Sequence, residues 1–251
     1  MKFKDHFSGH AASYAKFRPN YPRELFEYLA SIAPGRGRAW DCATGNGQAA
    51  VGLSAFFECV IATDASERQI LGASRNERIE FRVAAAEKSG LESKSIDLVT
   101  VAQALHWFDL DAFYAEAMRV LKPRGILAAW CYGFLEIAPE IDTIVNRFYD
   151  EIVGRYWPPE RKIVEDRYRT IRFPFDELES QVFSMQAHWS LAQLLGYLRT
   201  WSATQAFITA HGSDPIEAIT ADLSGAWGAE TRGRIVRWPL SIRVARVVPA
   251  V

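Results

Sequence analysis

Short apolar runs alternate with amphipathic stretches between residues 23 and 131 of this chain. That rhythm predicts much of its architecture before any motif is considered. Arg23–Ile32 places Leu25, Phe26, Leu29 and Ile32 on one face, which predicts a helix with Pro22 at its first turn. The runs at 38–42, 57–63, 76–83, 95–102 and 125–131 are too short for helices and are bounded by turn residues, so they predict five buried strands. Asp111–Leu121 predicts an amphipathic helix stopped by Pro123 and Gly125. Strands alternating with helices at this spacing predict a parallel sheet with right-handed crossovers.

After Cys131 the pattern loosens. Pro139–Arg155 predicts a helix, which Tyr156-Trp-Pro-Pro159 breaks. Residues 160–180 are mixed, with a turn at Phe173-Pro-Phe175. Ser180–Trp189 predicts a strand, Leu191–Phe207 a helix, and Asp214-Pro215 the start of another helix. The alternation over 233–248 predicts a final strand. Repeats and low-complexity linkers are absent from the sequence.

The turn after the first strand carries the chemistry. Asp41-Cys-Ala-Thr-Gly-Asn-Gly47 ends one strand and opens a glycine turn, and the second strand ends at Asp64. Strand, Gly-x-Gly turn, helix, strand and acid form the first half of a nucleotide-binding βαβ unit. Gly45 and Gly47 lack the β-carbons that keep backbone away from a ligand. Asp64 at a strand tip suits both hydroxyls of a ribose. An adenosine-containing cofactor is therefore expected. Asp41 separates the candidates, because a carboxylate beside a pyrophosphate site would repel a dinucleotide. It suits the sulfonium and ammonium groups of S-adenosylmethionine (SAM).

Together these residues resemble class I SAM-dependent methyltransferases. Val83–Leu91 is similar to the family's segment after the third strand, Ser95–Phe108 to its fourth strand and following loop, and Met118–Trp130 to its helix, Lys-Pro-x-Gly turn and fifth strand. The His106-Trp-Phe108 loop and Tyr14-x-x-x-Arg18-Pro-x-Tyr-Pro22 resemble the trans-aconitate-methyltransferase-like subgroup. The resemblance implies an α/β, Rossmann-like, seven-stranded and mostly parallel sheet. Its last strand is antiparallel beside the fifth, with helices on both faces and a helical cap. It also implies a single domain: an arm over 1–34, a cofactor core over 35–133, cap segments at 134–180 and 191–230, and the last two strands at 181–190 and 233–248. The expected cofactor residues are Tyr14, Arg18, Asp41, Ala43, Gly45, Gly47, Asp64, Ala65, Ala86, Glu87 and Gln103, with Arg18 meeting the cofactor carboxylate.

Methyl transfer from a sulfonium is an in-line displacement, so a protein mainly aligns the reactants and excludes water. His106 is the candidate base, or alternatively a loop histidine that shapes the pocket; His188 is the runner-up. Trp107, Tyr132 and Trp201 are candidate walls for an acceptor. Arg147, Arg172 and Arg199 are candidate partners for an acidic acceptor, while Arg161-Lys162 and Arg167-Tyr-Arg169 read as solvated faces.

Composition narrows the partners. A formal net charge of -1 disfavours nucleic acid as a substrate. The three cysteines, Cys42, Cys59 and Cys131, lack metal-ligand spacing and read as small buried residues in a reducing compartment. No metal is expected. The sequence carries neither a signal-like N-terminal run nor a stretch long enough to span a membrane, so a cytoplasmic location and no membrane partner are expected. The expected activity is SAM-dependent methylation of a small-molecule acceptor at a carboxylate or hydroxyl oxygen. The alternatives are an NAD(P)-dependent oxidoreductase and a non-catalytic SAM-binding protein. Asp41 and the lack of a Tyr-x-x-x-Lys pattern argue against the first of these.

Overall fold

The computed structural model describes residues 19–73, 76–229 and 233–247. In chain order the first part holds α1 (Arg23–Ile32), β1 (Arg38–Cys42), α2 (Gln48–Ser54), β2 (Cys59–Asp64), α3 (Glu67–Leu71), β3 (Ile79–Val83) and β4 (Ile96–Ala102). A single 3-10 turn at Leu105–Trp107 leads into α4 (Leu110–Val120) and β5 (Leu121–Tyr132). Then come α5 (Pro139–Arg147), α6 (Arg161–Glu165), β6 (Asp176–Leu178), β7 (Phe183–Trp189), α7 (Leu191–Arg199), α8 (Ser202–His211), α9 (Glu217–Trp227) and β8 (Arg234–Arg246).

The strands lie in the order β3-β2-β1-β4-β5-β8-β6, and β7 also pairs with β8. β1 to β5 pair in parallel, and β8 runs antiparallel beside β5. β6 lies opposite Val244–Arg246 and β7 opposite Arg234–Leu240, so the two occupy one edge of β8 end to end. The sheet thus has seven positions, the last of them filled by two strands. The chain reverses direction across the sheet between β1 and β4, and ligands of open α/β sheets bind at such a switch point.

Strand periodicity sorts the apolar residues into two cores. Ala39, Val60, Ala62, Leu98, Ala128 and Trp130 face α1, α2 and much of the C-terminal helical part. Trp40, Ile61, Val99, Val101, Leu127 and Ala129 face α4 and the segment 164–173. The C-terminal half is therefore continuous with both cores.

Three element expectations are corrected. The helix before the fifth strand stops at Val120, ahead of Pro123, and β5 begins at once. Lys122–Gly125 forms a bulge within that strand, between the pairs Ile96–Leu121 and Leu98–Ile126. The helix expected over 139–155 is α only to Arg147, then widens into a π turn at Phe148–Ile152 and tightens to a 3-10 turn at Gly154–Tyr156. That change of pitch turns Phe148, Tyr149 and Val153 inward. The helix expected over 191–207 breaks at Thr200 and Trp201 into α7 and α8. Buried Trp201 anchors the break. The freed carbonyls of Leu198 and Arg199 accept from the Thr204 hydroxyl (2.9 Å) and the Gln205 amide (2.6 Å).

Candidate functional site

The C-terminal ends of β1, β2, β4 and β5 meet in one place, because parallel strands bring their ends to the same edge of the sheet. Three left-handed residues, Ala43 (φ 55°), Gly45 (φ 57°) and Gly47 (φ 91°), curl the chain after β1. The Gly45 N–H donates to Asp64 Oδ2 at 2.9 Å, and the Ser66 N–H donates to Oδ1 at 2.8 Å. Asp64 thereby ties the glycine turn to the loop after β2, with exposed Ala65 between. Asp41 is fully buried and accepts from the Thr44 hydroxyl (2.5 Å) and the Thr100 hydroxyl (2.8 Å). Burial pushes its pKa up to about 6, against the opposing effect of those hydrogen bonds.

The two glycines do different jobs. A β-carbon at Gly47 would stand 2.9 Å from the Phe81 ring, so this residue is small for packing as well as left-handed. A β-carbon at Gly45 would meet nothing within 4 Å among the described residues. Of the two glycines, Gly45 is therefore the one open among the described residues.

The loops after β3 and β4 complete the rim. Ala86 is half-buried, and neighbouring Glu87 accepts from the Asp109 N–H at 3.1 Å. Gln103 (φ 57°) spends its side-chain amide on the Tyr132 backbone, donating to the carbonyl at 3.1 Å and accepting from the N–H at 2.7 Å. It clamps β4 to β5, and it places buried Tyr132 beside the site by the backbone. Trp107 is half-buried against His106, with ring centroids 4.7 Å apart. His106 Nδ1 lies 2.9 Å from the Tyr168 hydroxyl. Burial and the nearby Arg161 charge hold His106 down to about pKa 3.

Some expected residues stand apart. Tyr14 and Arg18 lie outside the described residues. Trp201 is buried in an aromatic cluster with Tyr149 (5.7 Å), Trp157 (5.6 Å) and Tyr197 (6.0 Å). His188 packs over Gly233 at the β7–β8 edge. Arg147 pairs with Asp222 and Arg199 with Asp214, each at 2.6 Å, and Arg172 is exposed.

Comparison with known proteins agrees with this geometry. Residues 40–129 match the family model described as Methyltransferase domain. A Dictyostelium discoideum protein named as a methyltransferase is 38% identical over 230 residues, covering 90% of this chain and 88% of that protein. The chain is a class I SAM-dependent methyltransferase. A Saccharomyces cerevisiae protein named as an S-adenosylmethionine-dependent methyltransferase is 26% identical over 245 residues, covering 82% of this chain and 83% of its own. The solved structure of a type II methyltransferase from Anaeromyxobacter dehalogenans superposes with a TM-score of 0.88 at 47% identity, covering 93% of this chain and 100% of that one.

The site of this methyltransferase fits its cofactor. Among the described residues the turn at Gly45 is open, and the Asp64 carboxylate stands beside it, held by the Gly45 and Ser66 N–H groups. Among the described residues no cluster of three metal-type ligands exists, and no helix is long and apolar enough to cross a membrane.

Arg161 and Tyr168 were missed by sequence reasoning. Arg161 is half-buried, not a solvated face. Its guanidinium lies over the rings of Trp157 (4.7 Å) and Tyr149 (5.2 Å), and its Nε–H donates to the Tyr149 hydroxyl at 2.6 Å. Among the described residues it has no acidic partner within ion-pair distance. The available signal was the four-residue spacing from Trp157 to Arg161 across Pro158-Pro159, which brings an aromatic face under a cation.

Proposed function

We propose that this methyltransferase acts on a small organic acceptor at an oxygen that arrives already ionised, a carboxylate. One observation carries the reading: His106 Nδ1 is engaged by the buried Tyr168 hydroxyl at 2.9 Å, and burial together with the Arg161 charge holds the ring down to about pKa 3. A ring with a pKa near 3 takes a proton poorly from a phenol or an ammonium group. Asp41, with a pKa of about 6, is buried, and its oxygens are occupied by Thr44 and Thr100. A carboxylate needs no base, and Arg161 offers it a positive charge and flat donors.

In this proposal Asp64 accepts from the ribose hydroxyls, and Gly45 and Ala43 let the chain approach the cofactor. Ala65, Ala86 and Glu87 line its base side. Gln103 sets the spacing of the β4 and β5 ends, and Gly47 serves the turn through its contact with Phe81. Asp41 supplies buried negative charge behind the turn. Trp107 and Tyr132 wall the acceptor, and Trp201 supports that wall through Tyr149. SAM, when bound, supplies a methyl group on a cationic sulfur. The chain's part is to align the acceptor oxygen with it and keep water out.

Screening carboxylic acids, phenols and amines with methyl-labelled SAM tests this. The expected product is a methyl ester, which alkali splits to release labelled volatile methanol. An alkali-stable product, an ether or an N-methyl amine, would overturn the carboxylate reading. No product from any class, with S-adenosylhomocysteine still bound, would favour a non-catalytic binding role.

A further inference from the structure

The segment after α6 contains two consecutive left-handed residues, Arg167 (φ 56°) and Tyr168 (φ 59°), and neither is glycine. Such backbone persists only where its surroundings hold it. Here Arg243 of β8 does so. Its Nη1 donates to the carbonyls of Tyr168 (3.1 Å) and Ile171 (2.5 Å), its Nε donates to Glu177 (3.0 Å), and its guanidinium covers the Phe173 ring at 4.5 Å. The Tyr168 N–H closes the turn onto the Ile163 carbonyl at 3.0 Å. The result is a fully buried tyrosine whose hydroxyl reaches the loop after β4 and meets His106 Nδ1 at 2.9 Å.

The direction of that hydrogen bond follows from proton accounting. The Tyr168 hydroxyl is fully buried, and among the described residues His106 Nδ1 is the one acceptor it meets. If the ring donated instead, the hydroxyl proton would be left buried without a partner, so the hydroxyl donates and Nδ1 is the acceptor. A neutral imidazole that accepts at Nδ1 carries its proton on Nε2. Among the described residues the groups that act on His106 are Tyr168, the Arg161 charge from α6, and the Trp107 ring in its own turn. None of these is an anion that would call for a second proton.

We propose that Tyr168 is a positioning residue that locks His106 as its Nε2–H tautomer, making His106 a fixed hydrogen-bond donor for the acceptor oxygen instead of a base. The role of that donor rests on the carboxylate reading above; the tautomer does not. Nothing in the family match assigns a role to Tyr168, which lies beyond the matched residues 40–129.

Nitrogen-15 NMR of the histidine-labelled full chain, without cofactor, reads the tautomer directly. Among the five histidines, the His106 signals are those lost in His106→Gln. Wild type is expected to show Nε2–H with bare Nδ1, unchanged from about pH 5.5 to 8.5, across the range where an ordinary histidine titrates. Tyr168→Phe keeps the ring volume and is expected to shift His106 toward a tautomer mixture, with S-adenosylhomocysteine affinity within about twofold. Methyl transfer would fall about tenfold in kcat. His106→Gln, which keeps a donor at the Nε2 end, should retain more activity than His106→Asn. A wild-type Nδ1–H signature would overturn the proposal, and so would an unchanged tautomer in a folded Tyr168→Phe. If the tautomer holds but no carboxylate is methylated, the acceptor reading fails alone.

Discussion

The two halves of this methyltransferase are built by different means. Residues 38–132 are organised by backbone, through five parallel strands in unbroken register apart from one bulge and a turn held by Asp64. Residues 134–229 are organised by side chains. Tyr149 and Tyr197 meet Trp201 edge to face, Trp157 lies tilted against Tyr149 and Trp201, Arg161 stacks on Tyr149 and Trp157, and helices bend through π and 3-10 turns to let them do so. A backbone-built cofactor half tolerates change in its neighbours, whereas an aromatic half is sensitive to each large ring. On the function proposed above, the difference also divides the labour, with cofactor binding in the first half and acceptor choice in the second.

The sharpest test of that division is a large lesion in the aromatic half. Trp201→Ala should lower unfolding free energy by about 3–5 kcal/mol, as deletion of a buried large ring does. At a temperature where the variant is folded, S-adenosylhomocysteine should still bind within a few-fold. Denaturant titration paired with calorimetry measures both, and a collapse of cofactor affinity in folded protein would merge the two halves. The converse lesion is Asp64→Ala. It removes the acceptor of the Gly45 and Ser66 N–H groups, and affinity should fall about 100-fold or more, from charge-assisted bonds worth about 1.5–3 kcal/mol each. Unchanged binding by calorimetry would dismiss the ribose assignment.

Arg161→Met preserves an apolar stem on Trp157 and deletes the charge. Acceptor KM should rise about 10- to 100-fold, the loss of one charged hydrogen-bonding group, with cofactor affinity unmoved; steady-state kinetics on the methylated acid decides it.

Acidity gives a subtler probe. Asp41 rises from its ordinary pKa of 3.8 to about 6 on folding, so its protonated form is the one the folded chain favours. Its contribution to stability is full below the unfolded pKa and is lost as pH rises through 6. A cationic cofactor reverses the preference, so SAM affinity should climb as pH rises through about 6 and then level off, falling about tenfold per pH unit below it. Calorimetry in buffers of different ionisation heat should detect proton release on binding near pH 6. A pH-independent affinity would remove Asp41 from the cofactor's electrostatics. The smallest effect belongs to Arg147→Ala, which breaks an exposed pair with Asp222. It should change stability by about 0.5 kcal/mol or less and leave the acceptor KM alone.

The cofactor half was legible in sequence because each of its signals is local. Strand periodicity, the Asp41–Gly47 turn and the acid at a strand end are each contained in a few residues, and parallel pairing then brings the strand ends together. Even there a detail needed the third dimension: Gly47 is small because Phe81, on a strand two positions away, packs against it. The aromatic half was legible only as composition. Helix breaks at Arg147 and Thr200 follow from where buried rings must point, and no cap or proline marks them.

By itself the sequence determined the parallel sheet, the nucleotide-type turn and the choice of a cationic cofactor over a dinucleotide. Tertiary structure decided how the arginines of the second half are paired. Arg147 and Arg199 are consumed by Asp222 and Asp214, while Arg161 is turned inward onto Tyr149 and Trp157. It also decided what His106 can do, because its partner Tyr168 is 62 residues away and is held there by an arginine a further 75 residues on. Periodicity encodes the contacts of neighbours; the protonation and pairing of a side chain depend on groups that only folding brings within hydrogen-bond reach.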